Sequence, residues 1–169
     1  KAHSTGAEAL LSNINGGGQF PYILFRLFPE LFPEIWGTPE EKFFKVGLGP
    51  NPYDKKTLLP MGMAAGVSEQ FLLSQFGQSS KITLVNFTCV GCHSGQVQNS
   101  EGKILPIIGA PNTRVDNLFF IFAKTTKHEK FNAENFRNLL RSKPEGWFYQ
   151  NPELIGREQK EVQLLLRPF

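Results

Sequence analysis

The chain has 169 residues and a mild net charge of +3, and it contains no apolar run of about 18 residues, the length that a membrane-spanning helix needs. This length predicts a single domain over residues 1–169, and the scattered positive charge predicts no nucleic-acid partner. The 16 phenylalanines predict an aromatic core, either packed on itself or built around something bulky and flat.

The first part of the chain, residues 1–66, is rich in glycine and proline. Because these residues interrupt helices, we expect short helices and loops that wrap around a core. The tandem echo FPELFPEIW, residues 28–36, predicts two consecutive turns that direct Phe28, Phe32 and Trp36 inward.

The rest of the chain, residues 67–169, shows mostly helical patterns. The predicted elements are a helix over 68–77, a strand over 81–87, a helix beginning at the Thr113 and Asp116 capping box, a helix from Asn132 to Arg141, and a last helix opened by Pro152. Phe131 and Phe136 are placed for a hydrophobic staple around the Asn132 cap. These patterns predict a mainly α fold with long Pro/Gly-rich loops.

Both cysteines lie in the segment Cys89-Val90-Gly91-Cys92-His93. In C-x-x-C-H the two thiols bond to the vinyl groups of a haem, the histidine ligates its iron, and the two-residue spacer lets one helical turn present both sulfurs along one porphyrin edge. The pattern favours one covalent haem c, anchored by Cys89 and Cys92 with His93 as the proximal ligand.

Two other chemistries stay open for this segment. A thiol redox pair uses C-x-x-C after a strand, but it continues into a long helix, which the glycines and proline after Cys92 disfavour. A zinc site needs a fourth ligand, and the sequence holds no second C-x-x-C or H-x-x-H cluster to supply it.

The ligand on the other side of the iron decides between an electron carrier and a catalyst. Met61 and Met63, the two methionines of the chain, lie upstream in an apolar segment and are candidates for that position, although core packing is the commoner role. Arg114 and Lys103 are candidates for pairing with the haem propionates. His128 lies in a charged stretch and is predicted to be a surface residue.

Three separated stretches resemble the first-haem region of the dihaem c-type cytochromes, which include rubber oxygenase A and, more distantly, the bacterial dihaem cytochrome c peroxidases. They are Leu59-Pro60-Met61-Gly62, the stretch from Cys89 to Gln96, and Gly109-Ala110-Pro111 followed by Asp116. The resemblance spans residues 40–169. It implies a cytochrome c-like haem domain, with 1–66 as a loop-rich N-terminal wrap and 67–169 as a helical haem-binding core, in a periplasmic or secreted protein.

The dihaem family carries a second C-x-x-C-H, which this chain lacks. Either a longer protein or a second haem-bearing chain supplies the other haem, or the chain is a single-haem relative. The first interpretation is therefore an exported c-type cytochrome that passes electrons to a redox protein partner by Fe(III)/Fe(II) cycling. The alternative is a catalytic haem with an open distal site, an oxidoreductase of the peroxidase or oxygenase type. A third is a structural haem subunit within a larger redox complex.

Overall fold

The computed structural model describes residues 20–39, 43–49, 51, 58–68, 82–108, 118–149 and 155–166. Its helices are α1 (Tyr22–Arg26), α2 (Phe28–Leu31), α3 (Pro33–Trp36), α4 (Cys89–Cys92), α5 (Leu118–Thr126), α6 (Ala133–Ser142) and α7 (Ile155–Leu166), with a 3-10 turn at Phe44–Val46. Its strands are β1 (Phe20–Pro21), β2 (Met63–Ser68), β3 (Ile82–Phe87), β4 (Ser94–Gln98) and β5 (Ile104–Ile108). None of these helices has the length and apolar character that crossing a membrane requires.

The strands form two antiparallel sheets. In the larger one, β3 is central and pairs with β1 on one side and with β2 on the other, in a register that runs from Met63 opposite Phe87 to Ser68 opposite Ile82. Strands β4 and β5 form a two-stranded sheet of their own. The chain therefore enters and leaves α4 through strands.

The prediction of a mainly α, cytochrome c-like fold is wrong, because the structure is a mixed α/β fold built on antiparallel strands. The strand predicted over 81–87 is confirmed as β3. Strand β2 was not predicted, because its sequence, MAAGVS, has mostly small residues with weak strand preference. Its hydrogen bonds come from pairing with β3. The region 67–169, predicted to be a helical core, likewise holds β3, β4 and β5.

The buried core of the described residues is rich in aromatic rings, and most of it comes from residues 22–63. Phe28, Phe32 and Trp36 are each 0 % exposed, so the prediction that the tandem echo directs them inward is confirmed, and helices α1 to α3 are short as expected. The indole Nε1 of Trp36 donates a hydrogen bond to Thr125 Oγ1 at 2.8 Å, which ties α3 to α5. In its described part, the segment predicted to wrap the core supplies that core.

Helix α6 confirms the predicted Asn132 cap. The Asn132 side chain accepts a hydrogen bond from the Asn135 backbone N–H at 2.9 Å, and the rings of Phe131 and Phe136 lie 5.3 Å apart, as the staple requires. The helix ends at Ser142. The predicted starts of the neighbouring helices, at 113–116 and at 152, and the body of the helix predicted over 68–77 lie outside the described residues.

Helix α7 buries two carboxylates against the rest of the fold. Glu161, which is 1 % exposed, accepts hydrogen bonds at Oε1 from the backbone N–H of Thr83 (3.0 Å) and from its hydroxyl (2.7 Å). Arg157 Nε donates to the same oxygen at 3.0 Å, and the Tyr149 hydroxyl lies 3.0 Å from Oε2. Glu158 accepts from the backbone N–H groups of Gly146 and Tyr149. These carboxylates hold α7 against β3 and against the turn from Gly146 to Tyr149, which precedes α7.

This network makes the protein less stable at alkaline pH. Burial, followed by the neighbouring Glu161 carboxylate, raises the pKa of Tyr149 far above its usual value of 10.0. A folded-state pKa above the unfolded one means that the neutral phenol contributes stability below about pH 10, and that this contribution is lost as the pH rises further. We expect the free energy of unfolding, measured by urea titration from about pH 8 to about pH 11, to fall more steeply for the wild type than for Tyr149→Phe. Equal slopes for the two proteins would contradict this assignment.

Candidate functional site

The predicted haem motif forms a single helical turn at the protein surface. Helix α4 spans Cys89–Cys92, with Thr88 in extended conformation ahead of it and the His93 backbone N–H bonded to the Cys89 carbonyl at 3.1 Å. Residues three apart lie on one face of a helix, so the two cysteines share a face. Cys89 is half-buried and Cys92 is exposed, neither cysteine forms a disulfide, and His93 is exposed. The turn presents all three predicted haem-binding residues in the space of five positions.

The buried side of this turn rests on the end of a neighbouring strand. Val90 and Gly91 are buried, and the Thr88 backbone N–H donates to the Gly62 carbonyl at 2.9 Å. Gly62 has φ +90°, and a Cβ at this residue would lie 2.3 Å from the Gly91 Cα. The two backbones can approach this closely because both residues are glycines and neither carries a Cβ. The contact holds α4 against the sheet and leaves its cysteine face outward.

The structure around the motif bears on two of the three chemistries predicted for it, the thiol redox pair and the zinc site. Helix α4 ends at Cys92 and strand β4 begins at Ser94, so the second cysteine does not continue into a long helix as it does in a thioredoxin-type pair. A zinc site requires three or four side chains that converge on one point. Within the described part of the chain, no three His, Cys, Asp or Glu side chains converge in this way. Covalent haem needs one iron ligand from this segment, since the sulfurs bond to carbon.

The candidate distal ligands are buried. Met61 is 2 % exposed and Met63 is 3 % exposed, and Met63 belongs to the main hydrophobic core. They flank Gly62, so their backbone lies beside α4 while their side chains occupy the interior. Ligation of the iron by either sulfur stays a prediction.

The other predicted site residues are placed as follows. Lys103 is exposed in the turn between β4 and β5, where its backbone N–H donates to Asn99 Oδ1 at 2.8 Å. Arg114 lies outside the described residues. His128 is half-buried, since its ring packs on Phe32 and its Nε2 lies 2.9 Å from Glu34 Oε1, so it is engaged away from the motif.

Two polar residues beside the motif were missed by the sequence analysis. Asn86 and Thr88 are 1 % and 2 % exposed, and Asn86 Oδ1 and Thr88 Oγ1 have no hydrogen-bond partner among the described residues. They are two positions apart at the end of β3, so they lie on one face of the extended chain. Polar residues at alternate positions of an otherwise apolar strand were the available signal. Buried acceptors without partners usually mark a water, ion or ligand contact.

A separate cavity of about 210 Å³ lies in the N-terminal region, lined by Arg26, Glu30, Phe43, Leu58 and Trp147, among others. Arg26 and Lys143 lie over the Trp147 ring, at 5.0 Å and 4.4 Å from its centroid. Among the described residues that line this cavity, none is a predicted haem-binding residue. The motif therefore remains the candidate site, with two cysteines on one face and an exposed histidine beside them.

Comparison with known proteins identifies the domain that carries the motif. The profile of the Y4iN-like domain family matches residues 8–93, more than half of the chain. The chain belongs to the Y4iN-like domain family. This match includes the whole of β1 to β3 and ends at His93, so the complete C-x-x-C-H motif lies within the Y4iN-like region.

A curated relative matches a shorter stretch of the chain. The "Uncharacterized protein y4iN" of Sinorhizobium fredii (strain NBRC 101917 / NGR234) is 47% identical to the chain over 49 residues. The aligned part is 29% of this chain and 24% of that protein, so the chain spans about a quarter of the length of the curated relative it matches. No solved structure matches the chain.

The Gly62 contact yields a test of how α4 is held. Gly62→Ala places a methyl group inside the Gly91 backbone and also strains a left-handed conformation, so we expect it to lower the free energy of unfolding by about 3 kcal/mol. Gly146 is a matched control, since it has φ +78° but an added Cβ there meets no atom within 4 Å. Gly146→Ala should cost about 1 kcal/mol, from conformation alone. Equal losses for the two variants in urea unfolding would show that the Gly62 contact does not constrain α4.

Proposed function

We propose that the chain is a haem c-binding domain that transfers electrons by Fe(III)/Fe(II) cycling. The observation that carries the proposal is the one-turn helix α4, which holds Cys89 and Cys92 on one face with no disulfide between them and ends beside the exposed His93. Haem c supplies a one-electron couple that passes electrons without releasing a reaction product.

Each residue of the motif has a defined role in this proposal. The Cys89 and Cys92 thiols each add across one vinyl double bond, with sulfur bonding to one carbon and hydrogen to the other, so no oxidant or reductant is consumed. His93 donates a neutral imidazole nitrogen to the iron. Because Gly91 is locked against Gly62, the attachment face stays pointed outward before and after binding.

The resemblance to the dihaem c-type cytochromes supports the same proposal from the sequence. It implies export to the periplasm or secretion, and electron exchange with a redox protein partner or a second haem-bearing chain. The mixed α/β fold does not oppose this assignment, because chemistry belongs to the site, and the same site occurs on unrelated folds.

Haem attachment is tested by mass and by absorption. Produced in a periplasm with the covalent haem-attachment machinery, the chain should gain the mass of one haem, and Cys89→Ala/Cys92→Ala should keep the plain polypeptide mass. His93→Ala should change the spectrum of the ferric form, because it removes an axial ligand. The control His128→Ala should keep the wild-type mass and spectrum. A wild-type chain at its polypeptide mass contradicts the proposal.

A second candidate function is a catalytic haem with an open distal site, of the peroxidase or oxygenase type. The burial of Met61 and Met63 favours it, because a sulfur held in the interior is not available to an iron at the surface. An iron with a vacant position binds exogenous ligands, whereas a six-coordinate carrier does not.

Carbon monoxide separates the two functions. If the distal position is open, CO should shift the spectrum of the reduced protein at once, and the double variant Met61→Leu/Met63→Leu, which conserves apolar volume, should behave identically. If a methionine is the ligand, the wild type should resist CO and the double variant should bind it. The first result favours the catalytic haem, and the second favours the electron carrier.

A further inference from the structure

The hairpin of β4 and β5, which follows the haem motif directly, exposes apolar side chains. Val97 is 45% exposed and Ile107 is 42% exposed, among the largest values for apolar residues in the described part of the chain. A two-stranded hairpin without a covering layer is marginally stable in water. No other strand of the described residues pairs with this hairpin. Its ladder runs from Ser94 opposite Ile108 to Gln98 opposite Ile104, and a group that covers its exposed apolar side chains would stabilise it.

The exposed apolar residues lie on one face of the hairpin. Ile107 pairs with Gly95, and Val97 is two residues beyond Gly95 on the same strand. Directly opposed residues share a face, and so do residues two apart, which places Val97 and Ile107 on the same side. Gly95 adds no side chain to this face. We call Gly95, Val97 and Ile107 the hairpin face.

The position of this hairpin relative to the motif indicates its occupant. Strand β4 begins one residue after His93 and rises about 3.3 Å per residue, so Gly95 lies about 7 Å and Val97 about 13 Å along the chain from the iron ligand. At the far end of the hairpin, Lys103 is exposed in a turn fastened by Asn99. A haem has its vinyl groups on one edge and its propionates on the opposite edge. The hairpin therefore runs from the attachment edge toward a cation suited to the carboxylates.

We propose that the hairpin face is a wall of the haem pocket, with Val97 and Ile107 packed on the porphyrin and Lys103 paired with a propionate. This inference rests on the proposed function and goes beyond it, since it assigns residues downstream of the motif. The apolar pair excludes water from one side of the iron, which raises its midpoint potential. The haem in turn covers Val97 and Ile107, which stabilises the hairpin.

Hydrogen exchange tests the mutual stabilisation. The holoprotein and the apoprotein Cys89→Ala/Cys92→Ala are compared by mass spectrometry, using peptides that cover 94–108. We expect backbone exchange in this segment to slow by about tenfold or more when haem is attached. Helix α6, which is capped by its own Asn132, serves as the internal control and should not change.

Potentiometry of holoprotein variants tests the contact itself. Val97→Glu and Ile107→Glu should both lower the midpoint potential, because water and a carboxylate beside the haem stabilise Fe(III), whereas the conservative Val97→Leu should retain the wild-type value. Asn138→Glu, at an exposed position on α6, adds the same charge and should leave the potential unchanged.

The outcomes separate this inference from the proposed function. A holoprotein with intact thioether bonds, unchanged exchange over 94–108 and equal potentials for Val97→Glu and Asn138→Glu overturns the hairpin wall and leaves the haem assignment standing. A chain that takes up no haem overturns both.

Discussion

The backbone contact between Gly62 and Gly91 fixes the position of the whole candidate site. Strand β2 begins immediately after Gly62, with Met63 opposite Phe87, and the Gly62 carbonyl binds the Thr88 N–H at the start of α4. The register of the sheet therefore also determines where the motif lies. A shift of one residue in β2 would exchange its faces and would also move the glycine that admits α4. The outward orientation of the cysteine face follows from this packing.

Helix α4 has four residues and cannot be stable by itself, because an isolated helix of this length lacks the bonds to offset its nucleation cost. It depends on β3, which in turn is held by the aromatic core and by the buried Glu161 carboxylate on α7. The order of dependence runs from the core to the sheet and from the sheet to the motif. A haem-attachment motif needs only this rigid support, so it does not require a cytochrome c fold.

Local signals predicted local structure well in this chain. The Asn132 cap, strand β3 and the inward aromatic residues of the tandem echo each depend on near neighbours in sequence, and each is confirmed. Strands β2 (MAAGVS) and β4 (SGQVQ) could not be predicted, since their own strand preference is weak and each depends on the ladder with its partner strand. Strand β5 (ILPII) was obscured by the proline at its centre. The motif residues were identifiable from spacing. The role of Gly62 was not, because it exists only where β2 meets α4.

The fold also bears on the choice between carrier and catalyst. For Met63 to reach an iron at the surface, its side chain would have to leave the core and the first pair of the β2 ladder would have to open. Exposing a buried methionine costs about 1.5–3 kcal/mol before any backbone rearrangement is counted. Met61 faces a similar loss, because it is 2 % exposed and precedes the locked Gly62. In the proposed haem site, the contact that holds α4 and His93 in place also keeps both methionines in the interior, and this favours an iron whose second face is closed by another group or left open.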